Sequence, residues 1–285
     1  MSLWIPWWNA IWVLRPAFSR LRSFMWFATA VAGLTVRTDL LGVTSIVRAL
    51  KLRARFYNKL LDSFHSSAVQ LDWLTALWTQ AVLRLFPDPL RVNGRRVLVG
   101  DGIKVPKRGK KMPGVKLLHQ QSGSNKAEYI MGHSLQALSV LVQAAHSVFA
   151  VPLAMRIHEG LVWSNRDQRT LLDKMLALLA IVAIQDPFYF VADAYYAARK
   201  IVRGLLDQNH HLVTRVKSNA VAYAAHVRQG PQKRGRPKLY GQKIKLKSLL
   251  QDLQAMQPAP SPVYGEHNVT LQYREIGRAS GRERV

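Results

Sequence analysis

Two aspartates carry the chemical interest of this 285-residue chain. Asp101 follows the apolar run Val97-Leu98-Val99 and Gly100, and Asp193 ends the aromatic and β-branched run 188–192. A continuous apolar run of this kind reads as a strand buried on both faces, and an acid at its carboxyl end sits where open sheets hold their ligands. Either residue alone reads equally well as the start of a turn or a helix cap. Brought together, the two carboxylates make a hard-oxygen site suited to Mg²⁺ or Mn²⁺, shared with waters and substrate phosphate. Two such ions about 4 Å apart activate an attacking oxygen and stabilise a leaving one in an in-line displacement at a phosphodiester.

The charge around these acids points the same way. Residues 91–126 hold ten Lys and Arg against one acid, Asp101 itself, and residues 199–247 hold thirteen against Asp207 alone. Across the chain 41 Lys and Arg face 16 Asp and Glu, a net charge of +25 that self-repels without a polyanionic partner. Duplex DNA is the leading partner, and an anionic membrane surface is the competitor. The expected phosphate contacts are Lys104, Lys107, Arg108, Lys110, Lys111 and Lys116 near the first acid. Beyond the second they are Arg215, Lys217, Lys233, Arg234, Arg236 and Lys238. The absence of cysteine excludes disulfides, thiolate metal sites and a cysteine nucleophile. His119, His133, His210 and His211 lack metal-ligand spacing, and no Walker loop or dinucleotide fingerprint occurs. The longest apolar run near the N-terminus, 23–36, falls short of the roughly 20 residues a spanning helix needs, so it reads as a buried helix and no membrane span is expected.

Positioning the acids requires a sheet. Residues 1–90 read as a helical N-terminal domain in which the tryptophans pack rather than stack on bases. Within it Thr38-Asp39 can cap a helix, and 40–50 with 53–64 suggest a helix-turn-helix. Arg53, Arg55 and Lys59 then suit phosphate contacts, or equally a solvated basic face. A helix over 69–86 ends at Pro87-Asp88-Pro89. Past the turn dipeptide Asn93-Gly94, residues 91–218 read as the core. It has strands at 95–104, 133–142 and 148–157, a helix over 166–184 capped by Ser164-Asn165, and a strand at 188–193. A helix over 195–206 and a strand at 212–217 follow. A loop fills 105–127. Three antiparallel strands followed by parallel ones with right-handed crossover helices put the 188–193 strand beside 95–104, an order that is ribonuclease-H-like. Residues 219–262 form a basic insertion whose Lys233-Arg234-Gly235-Arg236-Pro237-Lys238 reads as an AT-hook, an extended segment for a narrow minor groove, or as a flexible basic loop. A helix is expected over 246–256, a proline spacer at Pro258, Pro260 and Pro262, and a strand over 269–273 that nothing completes. Residues 263–275 begin the remainder of the core.

At this point the motifs match a family. Asp101 with Pro106-Lys107 and Gly109, then Gly114-Val115, Gly132-His133 and Ala192-Asp193-Ala194-Tyr195, resembles the DDE-type transposases of bacterial insertion sequences, from about residue 38 to 275. The resemblance implies a metal-dependent enzyme that nicks transposon ends and joins the freed 3′-hydroxyl to target DNA. Asp101 and Asp193 would be the first two metal-binding acids and two Mg²⁺ (or Mn²⁺) the cofactors. It implies a homodimer in a synaptic complex with double-stranded DNA, in the bacterial cytoplasm with the nucleoid. The third acid of such a site, a glutamate on a later helix, has no counterpart, since Glu266, Glu275 and Glu283 lie on no convincing helix. Residues 276–285 resemble one reading frame of a sequencing adapter, so the expectation is a chain truncated before that glutamate and inactive. The alternative is a non-catalytic DNA-binding protein derived from a transposase, in which the basic loops carry the function.

Overall fold

Helical apolar spacing, with no strand alternation, builds the first ninety residues into five helices: α1 (Trp4–Trp12), α2 (Leu21–Val36), α3 (Val43–Ala49), α4 (Phe56–Phe64) and α5 (Leu71–Leu85). The structure, a computed structural model, describes residues 3–39, 42–109, 112, 114–119, 129–144, 147–157, 169–215, 219–223, 241–260 and 270–273. It divides into two units, Met1–Phe190 and Val191–Val285.

In the first unit, Ile11, Leu14, Phe18, Phe24 and Leu77 form one buried cluster with Trp7 and Trp8 packed on it, and Ala30, Ile46 and Leu60 form a second with Trp26. These tryptophans pack, as their spacing predicts. Trp4 and Trp12 remain 57% and 47% exposed, although each keeps ring contacts with its neighbours. The cap expected at Thr38-Asp39 is absent. Helix α3 starts after Gly42, whose φ of 68° only glycine adopts freely, and no side chain caps it.

The sheet of this unit comprises β1 (Arg91–Val92), β2 (Arg95–Pro106), β3 (Lys116–His119), β4 (Tyr129–Ala144), β5 (Ser147–Ile157) and β6 (Phe188–Ala192), with order β3-β4-β2-β6. Asn93 and Gly94, both at positive φ, close the β1–β2 hairpin as their dipeptide predicts. Strand β4 pairs antiparallel with β2, Asp101 opposite Ala137, and with β3 and β5. Two expectations are corrected here. The strand bearing Asp101, expected over 95–104, runs on to Pro106, so the acid lies within it rather than at its carboxyl end, because nine consecutive residues from Leu98 find partners on β4. Strand β3 also forms inside the stretch expected to be loop, pairing Lys116 with Gly132.

Strands β2 and β6 lie side by side, and their contacts give the direction. Arg96 pairs with Asp186 just before β6, and Gly100, four residues further on, faces Phe190, also four further on. Both strands therefore advance together, making the sheet mixed. Helix α6 (Leu171–Val182) starts at Thr170, not at Ser164-Asn165, which lie outside the described residues. Thr170 and Asp173 form a capping box, and the buried Gln136 amide of β4 donates to the Leu171 carbonyl at 2.9 Å. Helix α5 is tied to β5 by the Trp78 indole N–H, which donates to the Pro152 carbonyl at 2.8 Å, and by Arg156, which donates to Thr75 and Asp72.

In the second unit, which begins with the last two residues of β6, come α7 (Arg199–Leu206) and β7 (His211–Thr214), the neighbour of β6 in sheet order. The stretch expected to be irregular holds a two-stranded sheet of β8 (Val221–Tyr223) and β9 (Lys243–Lys245). The helix expected over 246–256 shortens to α8 (Leu246–Leu249) and a 3₁₀ turn at Leu253–Ala255. The proline spacer is strand β10 (Gln257–Pro260), which pairs with β11 (Thr270–Tyr273), so that strand does find a partner. Prolines suit this two-stranded ribbon because each strand needs N–H groups on one edge only.

Gly100 sets the spacing of β2 against β6: a Cβ there would lie 2.5 Å from the Phe190 ring and 2.9 Å from Leu138. Gly100→Ala is expected to cost about 1–3 kcal/mol by overpacking, and Phe190→Leu in the same chain to return part of it. Urea melts of the two variants and the double variant check this, the double lying above the sum of the singles.

Candidate functional site

Asp101 stands where the buried part of β2 gives way to an exposed part. Val97, Leu98 and Gly100 are buried, whereas Asp101, Gly102, Ile103 and Lys104 are exposed. Its Oδ1 accepts the Gly102 N–H at 2.6 Å. Asp193 follows β6 directly and is also exposed. Its Oδ1 accepts the Tyr195 N–H at 3.0 Å, an Asx turn, while its own carbonyl accepts from the Tyr196 N–H at 3.1 Å and from the Thr214 hydroxyl of β7 at 2.8 Å. Each carboxylate thus has one oxygen aimed by a local backbone N–H. Among the described residues neither takes part in an ion pair, although the chain is strongly basic. Asp186 pairs with Arg96 and Asp72 with Arg156, securing strand and helix ends.

The expected phosphate contacts divide. Lys107 and Arg108 are exposed just beyond β2, and Lys104 is exposed with its ammonium donating to the His119 carbonyl at 2.6 Å. Arg215 is exposed after β7. Lys116 is half-buried on β3, and its pKa is lowered, first by burial and then by the nearby Lys174 of α6. Lys110, Lys111, Lys217, Lys233, Arg234, Arg236 and Lys238 lie outside the described residues, as do the AT-hook-like segment, Glu266, Glu275, Glu283 and residues 276–285. Arg53, Arg55 and Lys59 are exposed on and before α4, Arg55 lying over the Phe56 ring. His133 and His210 are buried. Among the described residues no group of three or more His, Asp or Glu side chains is arranged to hold a metal, and no helix is long and apolar enough to cross a membrane.

Two contacts at Asp193 escaped the sequence reading. Thr214 fixes the carbonyl of the acid, and nothing in a lone threonine at a strand end signals that. Tyr195 supplies the amide of the Asx turn, and here the Asp-x-Tyr spacing was a usable signal.

A protein-family model described as DDE superfamily endonuclease matches residues 13–275. No curated protein matches the chain. Among the solved structures that match is the cryo-EM structure of the piggyBac transposase synaptic complex with hairpin DNA. It is 13% identical, with a TM-score of 0.39, over 77% of this chain and 46% of that one. The chain thus spans less than half the length of that transposase.

Two outcomes follow from the geometry. Thr214→Val removes a hydroxyl donor from the Asp193 carbonyl and is expected to destabilise by about 1 kcal/mol, with Thr214→Ser near wild type, as read by thermal melts of the three proteins. For Lys116, the unfolded chain holds the proton more tightly than the folded one, so the cost of its charge is fully present at neutral pH. It fades as pH rises through the lowered folded pKa toward the ordinary lysine value. Lys116→Met is therefore expected to be more stable than wild type at pH 7, with the difference shrinking toward pH 10 in a series of urea melts.

Proposed function

Because the chain belongs to the DDE superfamily endonucleases, we propose that it is the transposase of a bacterial insertion sequence, cutting DNA at transposon ends and joining the freed 3′-hydroxyl to target DNA. One observation supports this most. The strand bearing Asp101 and the strand leading to Asp193 are sheet neighbours running the same way, with Gly100 against Phe190. On this reading Asp101 and Asp193 are the first two acids of a ribonuclease-H-like catalytic core at 91–218, and the helical N-terminal domain at 1–90 offers α3 and α4 as a helix-turn-helix.

The donor set fits a hard divalent cation: both carboxylates are exposed, outside any ion pair among the described residues, and already oriented by a backbone N–H. Asp101 and Asp193 would hold Mg²⁺ or Mn²⁺, two ions in the complete enzyme, which supply activation of the attacking oxygen and stabilisation of the leaving one. The chain's own cations do the rest. Lys104, Lys107, Arg108, Lys116 and Arg215 neutralise backbone phosphates and hold the scissile strand over the acids. Lys110, Lys111 and Lys217 extend that surface, and Lys233, Arg234, Arg236 and Lys238 enter the minor groove from the 219–262 insertion. The partners are transposon-end and target duplexes, engaged by a homodimer at the bacterial nucleoid. No glutamate is assigned as third ligand. With two carboxylates the expected behaviour is salt-dependent DNA binding without efficient cleavage.

The absence of native cysteine gives a clean test. The double variant Asp101→Cys, Asp193→Cys is expected to close an intramolecular cross-link with a bismaleimide spanning about 8 Å, the reach over which two carboxylates can share a metal pair. Asp101→Ala and Asp193→Ala are each expected to lose Mn²⁺ binding by electron paramagnetic resonance. No cross-link, together with unchanged Mn²⁺ binding, would sink the site and leave a DNA-binding protein without this chemistry.

A further inference from the structure

We propose that Tyr195 is a nucleobase-stacking residue, holding an unpaired base of the DNA against the Asp193 turn. The inference rests on the reading above and adds a ligand contact that the metal chemistry does not require.

The turn fixes the backbone of Tyr195 on both sides. Its N–H donates to Asp193 Oδ1 at 3.0 Å, and the next N–H, of Tyr196, donates to the Asp193 carbonyl at 3.1 Å. The two rings then take opposite fates. Tyr196 is 2% exposed and anchors the turn, whereas Tyr195 is 49% exposed. Their centroids lie 5.3 Å apart with the planes at 89°, an edge-to-face contact. A ring held in that way leaves much of its surface to solvent while its orientation is already set, so binding a flat partner costs little further side-chain entropy. An exposed aromatic with no such support would be an ordinary surface residue. Exposed Arg199, at the start of α7, and Arg215, after β7, lie in the same unit and supply cations for the phosphates on either side of a splayed base.

The partner chemistry follows from the ring. A phenol face does not distinguish bases by hydrogen bonding, and base–aromatic stacking is sequence-tolerant, so the ligand class is any unpaired or flipped nucleobase. Placing such a base beside a metal-binding carboxylate would hold the adjoining phosphodiester where the chemistry takes place.

The test uses the full chain and two duplexes of one arbitrary sequence, one blunt and one ending in an unpaired 2-aminopurine, whose fluorescence falls on stacking. The wild type is expected to prefer the unpaired end by about 5- to 150-fold, the range set by stacking on one aromatic side chain, and to quench the fluorophore. Tyr195→Ala should lose both the preference and the quench while keeping blunt-duplex affinity and its salt slope. Tyr195→Phe and Tyr195→Trp should keep them. Retention of preference and quench in Tyr195→Ala, or their absence in the wild type, overturns the stacking role and leaves the Mn²⁺ result at Asp101 and Asp193 standing. Equal loss of blunt-duplex affinity in Tyr195→Ala overturns it too, since that marks a scaffold residue. Failure of the cysteine cross-link together with unchanged Mn²⁺ binding is a separate result and removes the parent reading instead.

Discussion

The Phe190 ring packed against Gly100 is the contact on which the pairing of β2 with β6 in the first unit depends. The Phe190 ring fills the space a side chain would take, with Leu138 of β4 on the other side. Because an aromatic ring has few low-energy positions in a packed interior, that contact sets lateral spacing and register together. The Arg96–Asp186 pair holds the same register four residues earlier, at the strand entrance. A slip of one residue on either strand would move Phe190 off Gly100 and part the charged pair at once. Register here is doubly determined, by packing at one end and by charge at the other.

Beyond Gly100 the same strand changes character. Its residues keep their hydrogen bonds to β4 as far as Pro106, yet those from Asp101 to Lys104 are exposed. A strand that stays ordered after leaving the core keeps its polar side chains in fixed positions without burying them. Lys116 shows the opposite arrangement. It is half-buried beside Lys174, and the protein carries that charge at a cost.

Much of this was legible in the sequence where the physics is local and periodic. The apolar runs ending at Gly100 and Ala192 read correctly as strands, and the leucine stripe of α6 and the Asn93-Gly94 turn also emerged where their patterns lie. What failed was decided by partners distant in sequence. Strand β3 is four residues long and owes its existence to β4, and β10 is half proline and owes its existence to β11. Neither has a periodicity of its own. The α6 start was missed because Ser164-Asn165 and Thr170 are equally good caps by composition, and only the reciprocal bond with Asp173 separates Thr170 from the rest. The two acids were legible as a type of residue in an unusual place, isolated in basic sequence, whereas the contacts that aim them were not.

Those contacts matter because an exposed carboxylate is ordinarily mobile. A free aspartate side chain samples several rotamers, and immobilising it on metal binding subtracts from affinity. At both positions a backbone N–H has already fixed one oxygen, through Gly102 at Asp101 and through Tyr195 at Asp193. At Asp193 the backbone itself is held as well, by the Thr214 hydroxyl from β7. A hydrogen bond to one oxygen leaves the other free to accept, so orientation is gained without occupying the whole carboxylate. A pair of carboxylates serving only as charge balance would be drawn into contact with the abundant lysines and arginines around them. Among the described residues neither Asp101 nor Asp193 makes such a contact, and each has one oxygen aimed by an amide instead.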